Sequence, residues 1–308
     1  MREGFVIGTR GSRLALSQAE LITEHLRKAF PDLAIRTQII RTTGDRHPDL
    51  SIGELSGVGF FVKELELALL NGTIDAAVHS MKDLPSTETP GLVIAAIAQR
   101  DDPRDALVAR ADATVQTLPR AARVGTSSVR RASCLLALRA DLTIVPMRGN
   151  VDTRVKKVDD GEVDAVCLAA AGLRRVGLDH RITQWFSIEE MLPAPGQGAL
   201  GVQMSEKDSR RQQVAAAVDH APTRIAVLAE RIVLRRLEAG CRLPLAAYAT
   251  VGDDRISVRA AVMSPDGARR LSVEHEGLRH EWQTVAALAA EDLFAQGAGL
   301  LAAAGIGR

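Results

Sequence analysis

FVIGTRGSRLALSQA, running from Phe5 to Ala19, is the stretch on which the fold turns. Three large apolar residues in a row, Phe5 to Ile7, suit a short strand covered on both faces. A turn from Gly8 to Ser12 follows, and then Ala15, Ala19, Ile22 and Leu26 recur at helical spacing. Strand, glycine turn and helix make the opening unit of an α/β layer.

The same alternation continues along the chain. Ile35, Thr37 and Ile39 predict a second strand, and Phe61, Leu65, Ala68 and Leu69 a helix that stops near Gly72. Further strands are expected over 74–78, 92–98, 142–145 and 164–168, with helices starting near Ser128 and covering 151–158. This pattern predicts α/β layers built on mainly parallel sheets. Arg100 to Arg104 and Pro193 to Gly198 read as crossings between two such domains. From about Pro222 one long alanine-rich helix leads to Cys241, and strands are expected over 248–251, 256–262 and 271–275 before a final helix. The expected division is 1–99 with 200–217, then 105–193, both α/β, and 222–308 as a smaller α+β domain.

The 308 residues are 46% apolar, enough to bury more than one core. Lys plus Arg number 39 and Asp plus Glu 38, a net charge of +1, which argues against a protein whose main partner is nucleic acid. An anionic ligand must then be met by locally gathered arginines. The three cysteines, Cys134, Cys167 and Cys241, are scattered without CxxC spacing, so a zinc site is not expected and a reducing compartment is. With no apolar run of membrane length, the sequence reads as a cytoplasmic protein without a membrane partner.

Four turns gather guanidinium groups after expected strands, three of them with hydroxyls as well. They are Thr9-Arg10-Gly11-Ser12-Arg13, Gly125 to Arg131, Arg148 to Arg154, and Arg174-Arg175. Open N–H groups at a helix start beside arginines make an anion site, although each turn alone also reads as a capped helix with solvated charges. Recurrence at topologically equivalent places favours convergence on one cleft, since ligands of open α/β sheets lie beyond the carboxyl ends of the strands. Asp83, in His79-Ser80-Met81-Lys82-Asp83-Leu84-Pro85, is the only acid expected in this basic constellation. A carboxylate among cations is suited to stabilising a developing cation and to relaying protons; a turn ion pair with Lys82 is the plainer reading. Cys241, in Glu238-Ala239-Gly240-Cys241-Arg242, sits on a glycine-flanked turn where sulfur can act as a nucleophile, whereas Cys134 and Cys167 fall inside apolar patterns and read as packing.

IGTRGSRLALSQA, GFFVKELE, AAVHSMKDLP, DPRDALVAR, VGTSSVRR, RGNVDTR, PAPGQGAL and LEAGCRLP together resemble the porphobilinogen deaminase family, in the same order from residue 7 to beyond residue 244. The resemblance implies two domains resembling type II periplasmic binding proteins and a third carrying a dipyrromethane held by a thioether to Cys241. It implies a transferase of heme and tetrapyrrole biosynthesis that adds four porphobilinogen units head to tail on that primer and releases linear hydroxymethylbilane, acting as a monomer.

By their match to family positions, Ser12, Lys82, Asp83, Thr126, Ser128, Arg130, Arg131, Arg148 and Arg154 are expected to hold the cofactor with Cys241, and Asp83 to be catalytic. Arg10, Phe61, Ser127, Arg148, Arg154 and Arg175 are expected to meet the substrate, whose acetate and propionate call for guanidinium partners. Its loss of ammonia to an electrophilic azafulvene calls for a nearby carboxylate. Val58 stands where many members have a lysine, so a loop lysine contact is not carried over. The rival reading is a non-catalytic cytoplasmic anion-binding protein of the two-domain solute-binding type, which has no use for Asp83 or Cys241. A nucleotide-binding enzyme is disfavoured because the sequence has no Walker lysine motif.

Overall fold

The computed structural model describes residues 4–41, 62–237 and 244–303. They divide into two compact units, the first reaching Asp101 and resuming over Ala199–Arg224, the second comprising Asp102–Gly198 and the chain from Ile225 onward.

In the first unit β1 (Phe5–Thr9) is fully buried and lies between β2 (Ile35–Ile39) and β3 (Ala76–Ser80), parallel to both. Helix α1 (Arg13–Ala29) starts at Ser12, whose Oγ accepts from the amide of Ala15 at 3.2 Å, and turns Ala19, Ile22 and Leu26 onto the sheet. Full burial of such an aliphatic side chain contributes about 1.5–3 kcal/mol. Helix α2 (Lys63–Leu70) ends at Asn71, where Gly72 takes a left-handed φ of 64°. Strand β3 begins two residues later than the pattern suggests, because Asp75 closes the preceding turn. Its carboxylate accepts from the Val6 amide at 2.7 Å, while its own amide donates to the Val6 carbonyl.

The sheet is completed by β4 (Leu92–Ile97), at the edge, and by a strand that arrives far later in sequence, at Leu200–Ser205, and inserts antiparallel between β3 and β4. The second unit repeats this plan. Its sheet is built from β5 (Asp105–Ala109), β6 (Arg123–Gly125), β7 (Thr143–Val145), β8 (Ala165–Ala169) and β9 (Gln184–Trp185), with the strand at 200–205 becoming β10 in chain order. The two orders, β2-β1-β3-β10-β4 and β7-β6-β8-β5-β9, correspond strand for strand. In both, the fourth strand is antiparallel to its neighbours. Half the pairings are therefore antiparallel, not the mainly parallel arrangement expected, because each sheet takes in one strand just after a crossing of the chain.

Helices α3 (Val129–Leu138), α4 (Val151–Asp159) and α5 (Ala170–Arg175) each follow a strand of this second sheet, and α6 (Arg211–Val218) packs in the first unit. Helix α7 (Ala221–Leu237) then leads to an antiparallel sheet of β11 (Leu245–Val251), β12 (Arg255–Met263) and β13 (Arg270–Leu278), followed by α8 (Trp282–Ala295) and α9 (Ala298–Ala303). Val233, Ala247, Val258, Ala286 and Leu293 join helices and sheet in one core. The expected class, two α/β layers and a smaller α+β C-terminal part, is the one observed. No helix among the described residues is long and apolar enough to cross a membrane.

Candidate functional site

Because β1 and β3 run parallel side by side, Thr9 and Ser80 end at the same edge of the first sheet. The turns that follow them are tied together there. Gln18 of α1 donates from Nε2 to Ser80 Oγ at 2.9 Å, and Thr9 Oγ1 donates to the Ala15 carbonyl at 3.0 Å. Past Ser80 the chain makes one tight helical turn, Met81–Asp83. Met81 is its buried anchor, with its amide donating to the Ala199 carbonyl at 3.0 Å, so Lys82 is left half-buried and Asp83 exposed. This edge thus brings together Arg10, Ser12, Lys82 and Asp83.

The second unit gathers the other residues by the same topology. β6, β7 and β8 are parallel, so Thr126–Ser128, Arg148 and α5 all follow strand ends on one edge. Thr126 donates its amide to the Val145 carbonyl and accepts at Oγ1 from the Ser128 amide at 3.2 Å. Ser127 Oγ donates to the Met147 carbonyl and accepts from the Met147 amide, fastening the Thr126–Ser128 turn to the one carrying Arg148. Gly149, at φ 101°, allows the sharp entry into α4, and Arg154 Nε donates back to its carbonyl at 2.8 Å. Arg175 donates from Nη2 to the Gly198 carbonyl at 2.5 Å.

Ser128 caps α3, and Arg130 and Arg131 are buried in its first turn. Here the expectation that Asp83 is the only acid in the constellation is corrected. Asp105 opens β5, and since β5 runs antiparallel to β8 it lies opposite Ala169, at the edge where the parallel strands end. Its carboxylate accepts from Arg130 Nη2 and Arg131 Nε, both at 2.7 Å, and from Gln197 Nε2 at 3.0 Å. Burial opposes this charge more than any other single influence. The two guanidiniums and the Gln197 amide outweigh it, and the Asp105 pKa falls to about 2.

Gln197 also donates to the Pro103 carbonyl and accepts from Arg131 Nη2 at 3.1 Å, so it links both crossing segments. Glu230, fully buried on α7, holds the second crossing from behind, accepting from the Gly196 amide at 2.7 Å and the Ala249 amide at 2.8 Å. Sequence reasoning missed Asp105, Gln197 and Glu230. The one local hint was an acid opening the wholly apolar run Ala106–Ala109.

Cys134 and Cys167 are packing residues as expected, lying 3.8 Å from Met263 Sδ and 3.9 Å from Met191 Sδ. Burial raises both thiols, that of Cys167 to about 12, which leaves neither a ready thiolate. Phe61, Val58 and Cys241 lie outside the described residues.

Two family models match the chain. Porphobilinogen deaminase, dipyromethane cofactor binding domain, covers residues 5–213, and Porphobilinogen deaminase, C-terminal domain, covers 224–294. A porphobilinogen deaminase of Desulforudis audaxviator is 47% identical over 90% of each chain. One from Syntrophotalea carbinolica is 45% identical over 97% of this chain and 95% of its own. Among solved structures, a YaeC-family lipoprotein of Enterococcus faecalis overlaps 69% of this chain and 89% of its own, at 17% identity and a TM-score of 0.41. An arginine-specific periplasmic binding protein of Salmonella typhimurium overlaps 70% and 91%, at 13% identity and a TM-score of 0.40.

Proposed function

The chain belongs to the porphobilinogen deaminase family, and from that premise we propose how its residues divide the work. It is a transferase of heme and tetrapyrrole biosynthesis that deaminates four porphobilinogen molecules and joins them head to tail on a covalently bound dipyrromethane, releasing hydroxymethylbilane. The rival reading, a non-catalytic anion-binding protein, is not favoured, because relatives bearing the enzyme's name match over nearly the whole chain.

The donor set suits a dipyrromethane, whose side chains are carboxylates. Five arginines and several hydroxyls sit at the strand-end edge of the second unit, and Arg130 Nε is buried with no hydrogen-bond partner among the described residues. In our assignment Cys241 carries the group as a thioether, and Ser12, Lys82, Asp83, Thr126, Ser128, Arg130, Arg131, Arg148 and Arg154 hold it. When bound, the dipyrromethane supplies the pyrrole carbon to which the first incoming unit is joined.

Arg10, Phe61, Ser127, Arg148, Arg154 and Arg175 take the incoming substrate. Each shielded guanidinium–carboxylate bond contributes roughly 1.5–3 kcal/mol. Asp83 accepts the pyrrole N–H, offsets positive charge as ammonia leaves, and takes up protons during coupling. The observation that carries this reading is the Met81–Asp83 turn, which from a buried anchor presents an exposed carboxylate at the sheet edge where β1 also ends.

We further propose a cytoplasmic monomer with domains 1–99 with 200–217, 105–193 and 222–308. The last two are built on separate sheets within the second unit. Intact-mass measurement on the purified protein and its Cys241→Ser and Asp83→Ala variants tests the functional reading. We expect two pyrrole units on the native chain and on Asp83→Ala, none on Cys241→Ser, and a loss of about 10²–10⁴ in single-turnover rate for Asp83→Ala. Native protein that gains no mass with porphobilinogen, or an Asp83→Ala variant of ordinary rate, overturns it. Sedimentation of the same sample near 33.0 kDa, soluble-fraction recovery, and separate exchange protection of 105–193 and 222–308 check the remaining assignments.

A further inference from the structure

Two adjacent arginines in the first turn of a helix are badly placed on their own. Arg130 and Arg131 repel one another, and the N-terminal end of α3 carries partial positive charge that disfavours cations. Both are nonetheless buried, 3% and 7% exposed, and Asp105 at 0% lies between them. One oxygen of its carboxylate takes Arg130 and the other takes Arg131, so the group is shared in a fixed direction. The remaining contacts extend the lock. Arg130 Nη1 donates to the Leu192 carbonyl at 2.8 Å, and Gln197 bonds to both Asp105 and Arg131.

We propose that Asp105 is a positioning residue for the reaction, whose shared carboxylate sets the direction in which Arg131 meets a carboxylate of the primer, with the buried Gln197 bracing both groups. This inference rests on the assignment of Arg131 to the primer. Asp105 touches neither primer nor substrate in it. Its influence runs through the guanidinium it orients. An amide at the same place keeps shape and volume but returns only one acceptor oxygen, so one of the two arginines turns away. The local potential becomes more positive as well, and an uncompensated guanidinium pair then attracts small anions more strongly than the native cluster does.

The test compares Asp105→Asn with the native holoenzyme, using intact mass for primer loading, steady-state kinetics for porphobilinogen, and thermal melting with inorganic phosphate as the probe. Expected are primer on a minority of molecules, an apparent kcat lowered by about twofold or more in step with the unloaded fraction while KM stays close to native, and a phosphate-induced rise in Tm larger than that of native protein. A purely structural carboxylate lowers Tm alone. Native loading and apparent kcat, or a Tm deficit that phosphate lifts no further than in native protein, overturns the proposal.

Should Asp105→Asn not fold, Gln197→Met decides, since it removes the side-chain bonds to Asp105 and Arg131 and leaves every charge in place. It is expected to load less primer and to lower apparent kcat in the same sense; native behaviour rejects the proposal. Arg131→Gln separates the two levels of inference. If it loads primer normally, the assignment of Arg131 fails. If it loses primer while Asp105→Asn and Gln197→Met load it fully, the positioning role fails alone.

Discussion

His79, at the inner end of β3, is 6% exposed, and its Nε2 lies 3.1 Å from Gln203 Oε1. Gln203 donates in turn to Glu66, which also accepts from Thr89 Oγ1 at 2.9 Å. Burial pushes the imidazole pKa down to about 4, against the opposing effect of the Gln203 bond, so the folded protein keeps it neutral well below pH 6.5. The unfolded chain takes up a proton at about 6.5, so stability from this group is whole above that pH and drains away as pH falls towards 4. The loss amounts to about 3 kcal/mol across that window. Urea unfolding at several pH values is expected to show a flatter profile between 6.5 and 4 for His79→Gln than for native protein. Asp105, whose pKa is depressed, acts at still lower pH: its contribution holds above the ordinary carboxylate range and disappears as pH falls through about 2.

The hairpin between β12 and β13 reaches α3 by its tip. Gly267 has a left-handed φ of 74°, and a Cβ there would lie 2.4 Å from the Ser133 carbonyl oxygen and 2.6 Å from the Ala137 amide nitrogen. Those atoms are helix backbone and have little freedom to retreat. Ser133 Oγ, which also donates to the Pro265 carbonyl at 3.3 Å, marks the same contact. The hairpin therefore buttresses the helix that carries Arg130 and Arg131. We expect Gly267→Ala to lower stability by about 2–4 kcal/mol, through overpacking added to the strained φ. Denaturant titration measures this, and a loss under about 0.5 kcal/mol would mean that the hairpin tip moves aside. Nothing in Ser264-Pro265-Asp266-Gly267 announced the contact beyond a turn, because the clashing partner belongs to a helix more than a hundred residues earlier.

Taken as a whole, the chain carries a net charge of only +1, so its monopole draws an acidic substrate only weakly from a distance. Attraction comes from arginines gathered at strand ends and decays within about 10 Å at 0.1 M salt. Raising ionic strength from about 0.01 to 0.15 M is accordingly expected to lower kcat/KM by less than about tenfold, and a fall of two orders of magnitude in stopped-flow binding would contradict it.

The basic turns were legible because their signal is local: a strand, a glycine, a hydroxyl cap and an arginine lie within a few residues, as in Thr9 to Arg13 and Gly125 to Arg131. The carboxylate between Arg130 and Arg131 was not, since Asp105 finds Gln197 across 92 positions and becomes part of the cluster only through strand direction. Strand direction in turn depends on where the chain crosses, which periodicity does not encode. Helix ends and buried faces, by contrast, followed spacing closely in α1 and α2.

The late insertion of β10 has a consequence for synthesis. Among the described residues β4 pairs only with β10, so while the polypeptide is still emerging from the ribosome β4 lacks that neighbour until roughly a hundred further residues have been added. At about 5–20 residues per second that interval is several seconds or more, long enough for the nascent Leu92–Ile97 segment to need shielding from other chains.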